Sequence, residues 1–438
     1  MMNWQKGNLM KRVTMYVWNH FTNDARVMRE AKLLARHDYN VKIVAIHNPK
    51  MPTLPKKAMI GPNLQVERVR MYPVAWDIFR KNKKLVAGVS GILIILRFLS
   101  HLRRSFKTAL WYIVKILWML KVLRNRSVQR NLLKAVRSLR MIIAGLQHSP
   151  DIVHSHDLNT LFQGIVTSRI GRRRPLVYDS HEVQTERTGY NPKVAGLWEQ
   201  SHVPFADAVI VENATRAKVF EKMYNRPAVH LYNYSEFIDV NHVPDIDVRR
   251  LHNIPSDEKI LLYQGGLQNG RGLEQLIEAM QYINRGVLVF VGDGNLRESL
   301  EIKVRELNLS ARVRFIGRVP LEELLSYTKE AYLGFQVLQN VNMNHYTASS
   351  NKLFEYIMMH VPVIGSDLPE IKRVIRDAEV GMVIDTSSPL KIAHAVNQLV
   401  NDSHLHAGFV KNCMRAKHLY NWSKEEAKLL KLYSELKA

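Results

Sequence analysis

Hydrophobic positions along this chain alternate between two registers. Short, β-branched apolar runs read as buried strands: RVTMYVW (12–18), VKIVAI (41–46), DIVHSH (151–156), PLVYD (175–179) and AVIV (208–211). Between them lie stretches such as DARVMREAKLLARH (24–37), whose apolar residues recur three and four apart and predict amphipathic helices. The second half restarts the pattern with KILLYQG (259–265), GVLVFVG (286–292), RVRFIG (312–317), YLGFQV (332–337), VPVIGS (361–366) and GMVI (381–384). Strands alternating with helices predict an α/β fold of two doubly wound, Rossmann-like halves. The polar, proline-containing stretch SEFIDVNHVPDIDVRRLHNIPSDE marks the boundary between them. The expected organisation is therefore a domain over 1–235, a linker over 236–257, a second domain over 258–415 and a C-terminal segment over 416–438 that crosses back to the first domain. In that segment SKEEAKLLKLYSEL reads as a helix opened by a capping box of Ser423 and Glu426.

Length agrees with this division, because 438 residues exceed what one compact core usually holds. The single cysteine, Cys413, leaves no pair for a disulfide or a thiolate metal site. No apolar stretch near the N-terminus is long enough for a signal peptide before Asn19 and His20, which predicts a cytoplasmic location.

Charge changes the picture in one segment. Of a net charge of +24, sixteen Lys and Arg fall between Arg80 and Arg140 with no Asp or Glu among them, leaving an excess of only eight elsewhere. Residues 80–126 interrupt the first alternating half. Their apolar runs LVAGVSGILIIL (85–96) and ALWYIVKILWML (109–120) are too short to span a bilayer, which takes about 18 residues or more. Trp111 and Trp118, beside Arg103, Arg104, Lys107, Lys115 and Lys121, instead suit helices lying on an anionic lipid surface at the inner face of the cell membrane. A helical hairpin covering the protein's own core fits the same residues. Nucleic acid fits less well, since the aromatics sit inside apolar runs. The next helix carries Val128, Leu132, Val136, Leu139, Ile143 and Leu146 on one stripe, which predicts an ordinary packing helix.

Three strand–turn–helix junctions carry the candidate chemistry. YQGGLQNGRGLEQLIEA (263–279) places Gly265 and Gly266 after a strand and Arg271 before a helix. Glycines admit close backbone approach and the arginine fork adds donors, which together suit a diphosphate. Taken singly, an ordinary β–α turn with a surface arginine fits as well. FVGDGNLRESL (290–300) repeats the geometry with Gly292 and Asp293. SSNKLFEYIMMHVPVIGSD (349–367) sets Lys352 and Glu355 in the first turn of an otherwise apolar helix, with Asn351 able to cap it. A lysine there meets phosphate, and a carboxylate accepts both hydroxyls of a ribose.

The combination YQGG, GRGLE, LVFVGDG, VRFIG, NKLFEY, PVI and DLPE resembles the donor-binding domain of GT-B glycosyltransferases, specifically the retaining family four (glycosyl transferases group 1). NDARVMREAKLLA, DIVHSHDLNTL, VYDSHE and ADAVIVEN are similar to the family's acceptor-side domain. The resemblance implies two Rossmann-like domains facing a central cleft, with the basic helical insert as an addition to the first. It implies Glu355 as the ribose ligand, Arg271 and Lys352 as the cations that stabilise the leaving diphosphate, and His156 facing the sugar. Gly265, Gly266, Gly292, Asp293, Asn351 and Leu353 would line the donor site.

This chain departs from the resemblance twice. Gly266 stands where many relatives carry Arg, and Thr347 where many carry a glutamate near the sugar hydroxyls. Asn344, His345 and Ser350, with Thr347, become the candidate sugar contacts. The implied reaction is a metal-independent, cofactor-free transfer from a nucleotide sugar, with retained configuration and no protein nucleophile. The insert points to a lipid-linked or polysaccharide acceptor. A sugar-nucleotide epimerase and a catalytically silent membrane partner of the same fold are the competing readings.

Overall fold

A computed structural model describes residues 10–22, 24–73, 94–102, 105–108, 110–115, 125–187 and 189–436. The chain divides into two compact units, one comprising residues 1–179, 202–207 and 437–438, the other 180–201 and 208–436.

The first unit contains β1 (Lys11–Tyr16), α1 (Ala25–Arg36), β2 (Tyr39–His47), β3 (Lys57–Gly61), β4 (Leu64–Arg70), α2 (Arg126–Leu146), β5 (Ile152–His156), α3 (Leu158–Arg169) and β6 (Leu176–Ser180). Its strands follow the order β3-β4-β2-β1-β5-β6 and are parallel except for β3, which runs antiparallel to β4. Both faces are covered, so β5 and β6 are buried at every residue and β1 over its last four, polar side chains such as His154, His156 and Asp179 included.

Helix α2 departs from expectation. Its C-terminal half is seated, with Met141, Ile142, Ala144 and Gly145 buried, Ser138 bonded to Gln163 and Arg137 over the Trp18 ring. Gly145 lets the helix approach β1, since a Cβ there would lie 1.7 Å from the Tyr16 hydroxyl. Leu132, Leu139 and Ile143 of the expected packing stripe are instead exposed, at 53%, 56% and 47%. The same holds in the basic insert, where Ile95, Leu96, Phe106, Leu110 and Trp111 are exposed along its described helical stretches. Those residues therefore do not cover a core. Among the described residues no helix is long and apolar enough to cross a membrane.

The second unit opens with α4 (Pro192–His202), β7 (Ala208–Val211), α5 (Ala214–Tyr224) and β8 (Val229–His230), with β7 and β8 paired in parallel. A six-stranded parallel sheet follows. It is built from β9 (Ile260–Gln264), β10 (Val287–Val291), β11 (Val313–Gly317), β12 (Leu333–Gln336), β13 (Val363–Ser366) and β14 (Gly381–Ile384), in the order β11-β10-β9-β12-β13-β14. Its helices are α6 (Leu273–Ala279), α7 (Arg297–Glu306), α8 (Leu321–Lys329), α9 (Asn351–Met358), α10 (Pro369–Ala378), α11 (Pro389–Asn401), α12 (Ser403–Ala416) and α13 (Ser423–Glu435). Alternate residues of β9 separate two cores. Ile260 and Leu262 pack with Phe354 and Ile357 of α9 on one face, while Leu261 and Tyr263 pack with Leu276 and Ile277 of α6 on the other. The expected capping box at α13 does not form, because Ser423 is already helical and Trp422 holds the cap position. Glu425 instead accepts from the Tyr232 amide at 3.0 Å.

Chain order reverses between β9 and β12, which leaves a crevice beyond their carboxyl ends, the place where doubly wound sheets bind ligands. All three candidate junctions empty into that edge.

Candidate functional site

The glycine turns after β9 and β10 interlock. Gly265 and Gly292 have φ of +129° and +138°, a region closed to other residues, and a Cβ on Gly292 would fall 2.0 Å from the Gly265 carbonyl. The Leu267 amide bonds the Asp293 carbonyl at 3.1 Å, holding one turn on the other. Gly266 lacks this restriction: a Cβ there would meet the Gln268 side chain at 3.4 Å, an ordinary contact. Gly272, at the start of α6, has φ +69° and sits so close to Val337 after β12 that a Cβ would lie 2.2 Å from its carbonyl.

Onto this floor α9 delivers its two charges. Lys352 is buried, and its Nζ stands 3.7 Å from the centroid of the Tyr263 ring, a cation–π contact with a face in the apolar core. Desolvation, followed by the nearby Arg271, holds its ammonium well below the usual lysine value, with Glu355 opposing. Arg271 itself donates Nη2 to Gln268 Oε1 at 3.3 Å, while its buried Nε has no hydrogen-bond partner. Two neighbouring cations, one of them desolvated, make this edge suited to an anion. Glu355 accepts from Gln264 Nε2, whose Oε1 in turn accepts from Thr328 Oγ1 at 2.7 Å, so this carboxylate is aimed from the sheet below.

A bound diphosphate would raise the Lys352 pKa back toward its ordinary value. Binding of a nucleoside diphosphate is therefore expected to take up a proton and to weaken as pH rises between the two values. Calorimetry in buffers of different ionisation enthalpy measures the uptake, and Lys352→Met should abolish it.

The second unit encloses a polar cavity of about 510 Å³, walled by Arg271, Asn344, His345, Ser350 and Asn351 from the expected set, together with Glu212 and Arg216. Arg271 joins this cavity to Lys352. Ser350, not Asn351, holds the cap position of α9, and the Asn351 Oδ1 accepts from Asn233 at 3.0 Å. Asn344 clasps Val183 through both its amide atoms, at 2.6 and 3.1 Å. His345 packs its ring against Gly270, and burial lowers its pKa. Two expected contacts lie elsewhere. Leu353 is fully buried in the core beneath the sheet, and Thr347 is 0% exposed. The Thr347 hydroxyl donates to the Met343 carbonyl at 2.8 Å and accepts from Arg216, so it faces the protein.

An Asp-x-Asp does occur in the linker, at Asp245 and Asp247. Asp245 pairs with Lys329 and Asp247 accepts from the Arg250 amide, both away from the cavity lining.

In the first unit His156 ends β5 and is 2% exposed. Its Nδ1 lies 3.4 Å from Asp179 Oδ2, and its ring stacks on His154 at 4.2 Å. Arg26 grips Asp179 with both Nε and Nη2 at 3.0 Å and reaches Glu30 at 3.1 Å. Glu30, His154, His156 and Asp179 bring ligand-type atoms within 4.8 Å of one another, and the Arg26 guanidinium supplies a cation to both carboxylates. Sequence reading found His156 but not the acids and arginine around it. Of the membrane-facing candidates, Lys107, Trp111 and Lys115 are exposed, whereas Arg103, Arg104, Trp118 and Lys121 lie outside the described residues.

Comparison with known proteins bears on this arrangement. Residues 245–415 match the family model described as glycosyl transferases group 1. The chain is 25% identical over 304 residues to an uncharacterized glycosyltransferase of Methanocaldococcus jannaschii, covering 65% of this chain and 76% of that one. It is 23% identical over 298 residues to a Campylobacter jejuni enzyme named GalNAc-alpha-(1->4)-GalNAc-alpha-(1->3)-diNAcBac-PP-undecaprenol alpha-1,4-N-acetyl-D-galactosaminyltransferase, covering 67% and 77%. Among solved structures, sucrose-phosphate synthase from Thermosynechococcus elongatus superimposes with a TM-score of 0.68 at 16% identity, covering 97% of this chain and 98% of that one.

Proposed function

This chain belongs to the group 1 glycosyltransferases of GT-B fold and draws on a nucleotide-sugar donor, and from that premise we propose that it passes the sugar, with retained configuration, to a lipid-linked or polysaccharide acceptor at the inner face of a membrane. The observation that carries the donor side is the pair of neighbouring cations, buried Lys352 and Arg271, beside the glycine turns. In this reading Glu355 takes the ribose hydroxyls, and Lys352 and Arg271 neutralise the charge that gathers on the departing diphosphate. That phosphate accepts the acceptor's proton on the same face of the sugar, so the protein supplies no nucleophile and needs no metal. His156 keeps, as part of this proposal, the sugar-facing role that the resemblance implies.

The acceptor side rests on the exposed apolar row Ile95, Leu96, Phe106, Leu110 and Trp111 beside Lys107 and Lys115. Aromatic and aliphatic side chains enter the headgroup boundary while lysines meet lipid phosphate, at about 1 kcal/mol for each engaged cation. The undecaprenol-linked substrate in the name of the Campylobacter relative supports the same acceptor class.

A thermal-shift panel of uridine, guanosine and adenosine diphosphate sugars is expected to find one donor that raises the unfolding midpoint. Radiolabel from that donor should then enter a membrane lipid extract, with the product's anomeric configuration read by NMR. Turnover of the donor without any acceptor would point to the epimerase instead. Deleting residues 85–120 should release the protein from membranes while donor binding persists; a deletion variant that still sediments wholly with vesicles defeats the attachment.

A further inference from the structure

Position 347 lacks a carboxylate, yet the cavity wall does not. Glu212 directly follows β7, lines the cavity and has an 18% exposed side chain. It is ion-paired to Arg216, one turn into α5, whose own side chain is only 5% exposed. The remaining arginine donors are all directed: Nε and Nη2 reach Thr347 Oγ1 at 3.4 and 3.3 Å, and Nη1 also meets the His181 carbonyl. Between the two charged residues Asn213 caps α5 by accepting from the Arg216 amide at 2.8 Å and donates to the Thr347 carbonyl at 2.7 Å. The carboxylate is thus pinned by a buried guanidinium that is itself held by two other segments, at Thr347 and at His181.

The other acids of the cavity are held more loosely. Glu182 is 47% exposed and meets Arg187 at 3.4 Å, and Glu186 is exposed. A carboxylate offers about four lone-pair positions, and the guanidinium contact leaves others available to a ligand in the cavity that Glu212 lines. A fixed acceptor of this kind, opposite a diphosphate-binding edge, selects a group with paired hydroxyl donors and repels one with its own carboxylate.

We propose that Glu212 is a specificity-determining residue of the glycosyl subsite, that Arg216 is its positioning residue, and that together they take a neutral sugar bearing vicinal hydroxyls. The inference rests on the cavity being the donor site. Here Thr347 belongs to the support of Arg216 and does not touch the sugar.

Calorimetric titration separates the two readings. The probes are UDP, UDP-glucose and UDP-glucuronate, with GDP and GDP-mannose as the parallel pair for a guanosine-selective site. Wild-type protein should bind the free nucleotide, bind the neutral sugar nucleotide more tightly, and disfavour the glucuronate. Glu212→Gln and Glu212→Asp should each weaken the neutral sugar nucleotide by roughly 10- to 100-fold, the range for a hydrogen bond to a charged group, and change the free nucleotide by less than about twofold. Arg216→Met should copy the loss, and Arg216→Lys should restore part of it. Thermal unfolding midpoints within a few degrees of wild type establish that the variants are folded; Glu212→Asp retains the charge that Arg216 requires. Equal loss for free and sugar nucleotide, or no loss for either, overturns the assignment. Wild-type protein that binds no nucleotide at all overturns the donor-site reading itself, and the inference with it.

Discussion

Lys352→Ala and Arg271→Ala should each lower sugar transfer by roughly 100- to 1,000-fold, the usual effect of removing one preorganised donor from a developing oxyanion. The two cations are neighbours, so their losses should not add: the double variant should lie close to the worse single one. The reason for so large an effect is burial. Lys352 already bears the cost of desolvation in the free protein, over the Tyr263 ring, and regains it only when an anion arrives. The linkage has a definite sign. Burial lowers this cation's pKa, so the folded chain holds the proton less well than the unfolded one. The free protein's stability should therefore rise with pH from the folded value toward the ordinary lysine range. Bound diphosphate should flatten that trend, since it brings the folded value back toward the unfolded one. Unchanged transfer in both single variants would mean that the diphosphate lies elsewhere.

Arg26→Met should loosen the first unit by about 3–5 kcal/mol, because it leaves two fully buried carboxylates, Glu30 and Asp179, without their guanidinium. Hydrogen exchange read locally at 152–156 and 176–180 is the suitable measurement, since a chain of two compact units does not license a single unfolding free energy. Asp179→Asn combined with Arg26→Met should recover part of the loss, as the uncompensated charge is then removed along with its partner. Undiminished protection in the single variant would show that the cluster contributes nothing to the sheet. The same grip on Asp179 orients His156 through its Nδ1, so Arg26→Lys, which keeps the charge but not the fork, should retain more protection than Arg26→Met.

Most of the strands were legible as apolar runs. β7 and β14 coincide with AVIV and GMVI, and the two glycine junctions fall at the ends of β9 and β10. The β3–β4 hairpin was passed over, although Leu64, Val66 and Arg68 alternate with less buried neighbours and Gly61-Pro62-Asn63 marks the turn. That signal is weak because β3, the edge strand, has no buried residue to mark an apolar face. Helix α2 misled for another reason. A stripe of Leu132, Leu139 and Ile143 states that a helix has an apolar side, not that the protein itself lies against it. At α9 the capping residue shifted by one position, within the usual uncertainty of a helix end.

What the sequence by itself determined was local and periodic: the two alternating halves, the turns that only glycine can make, and the two charges on an apolar helix. Which side chains meet was decided only by the tertiary structure. Arg216 and Thr347 are 131 residues apart, and Arg26 and Asp179 are 153 apart. Each pair is joined by the folded arrangement, which no spacing along the chain encodes. That is why Thr347, expected beside the sugar, points instead into the protein, and why Glu212, just after β7, lines the cavity. Periodicity follows from the backbone's own geometry, whereas ion pairs follow from where folding brings distant segments to a low-dielectric meeting point.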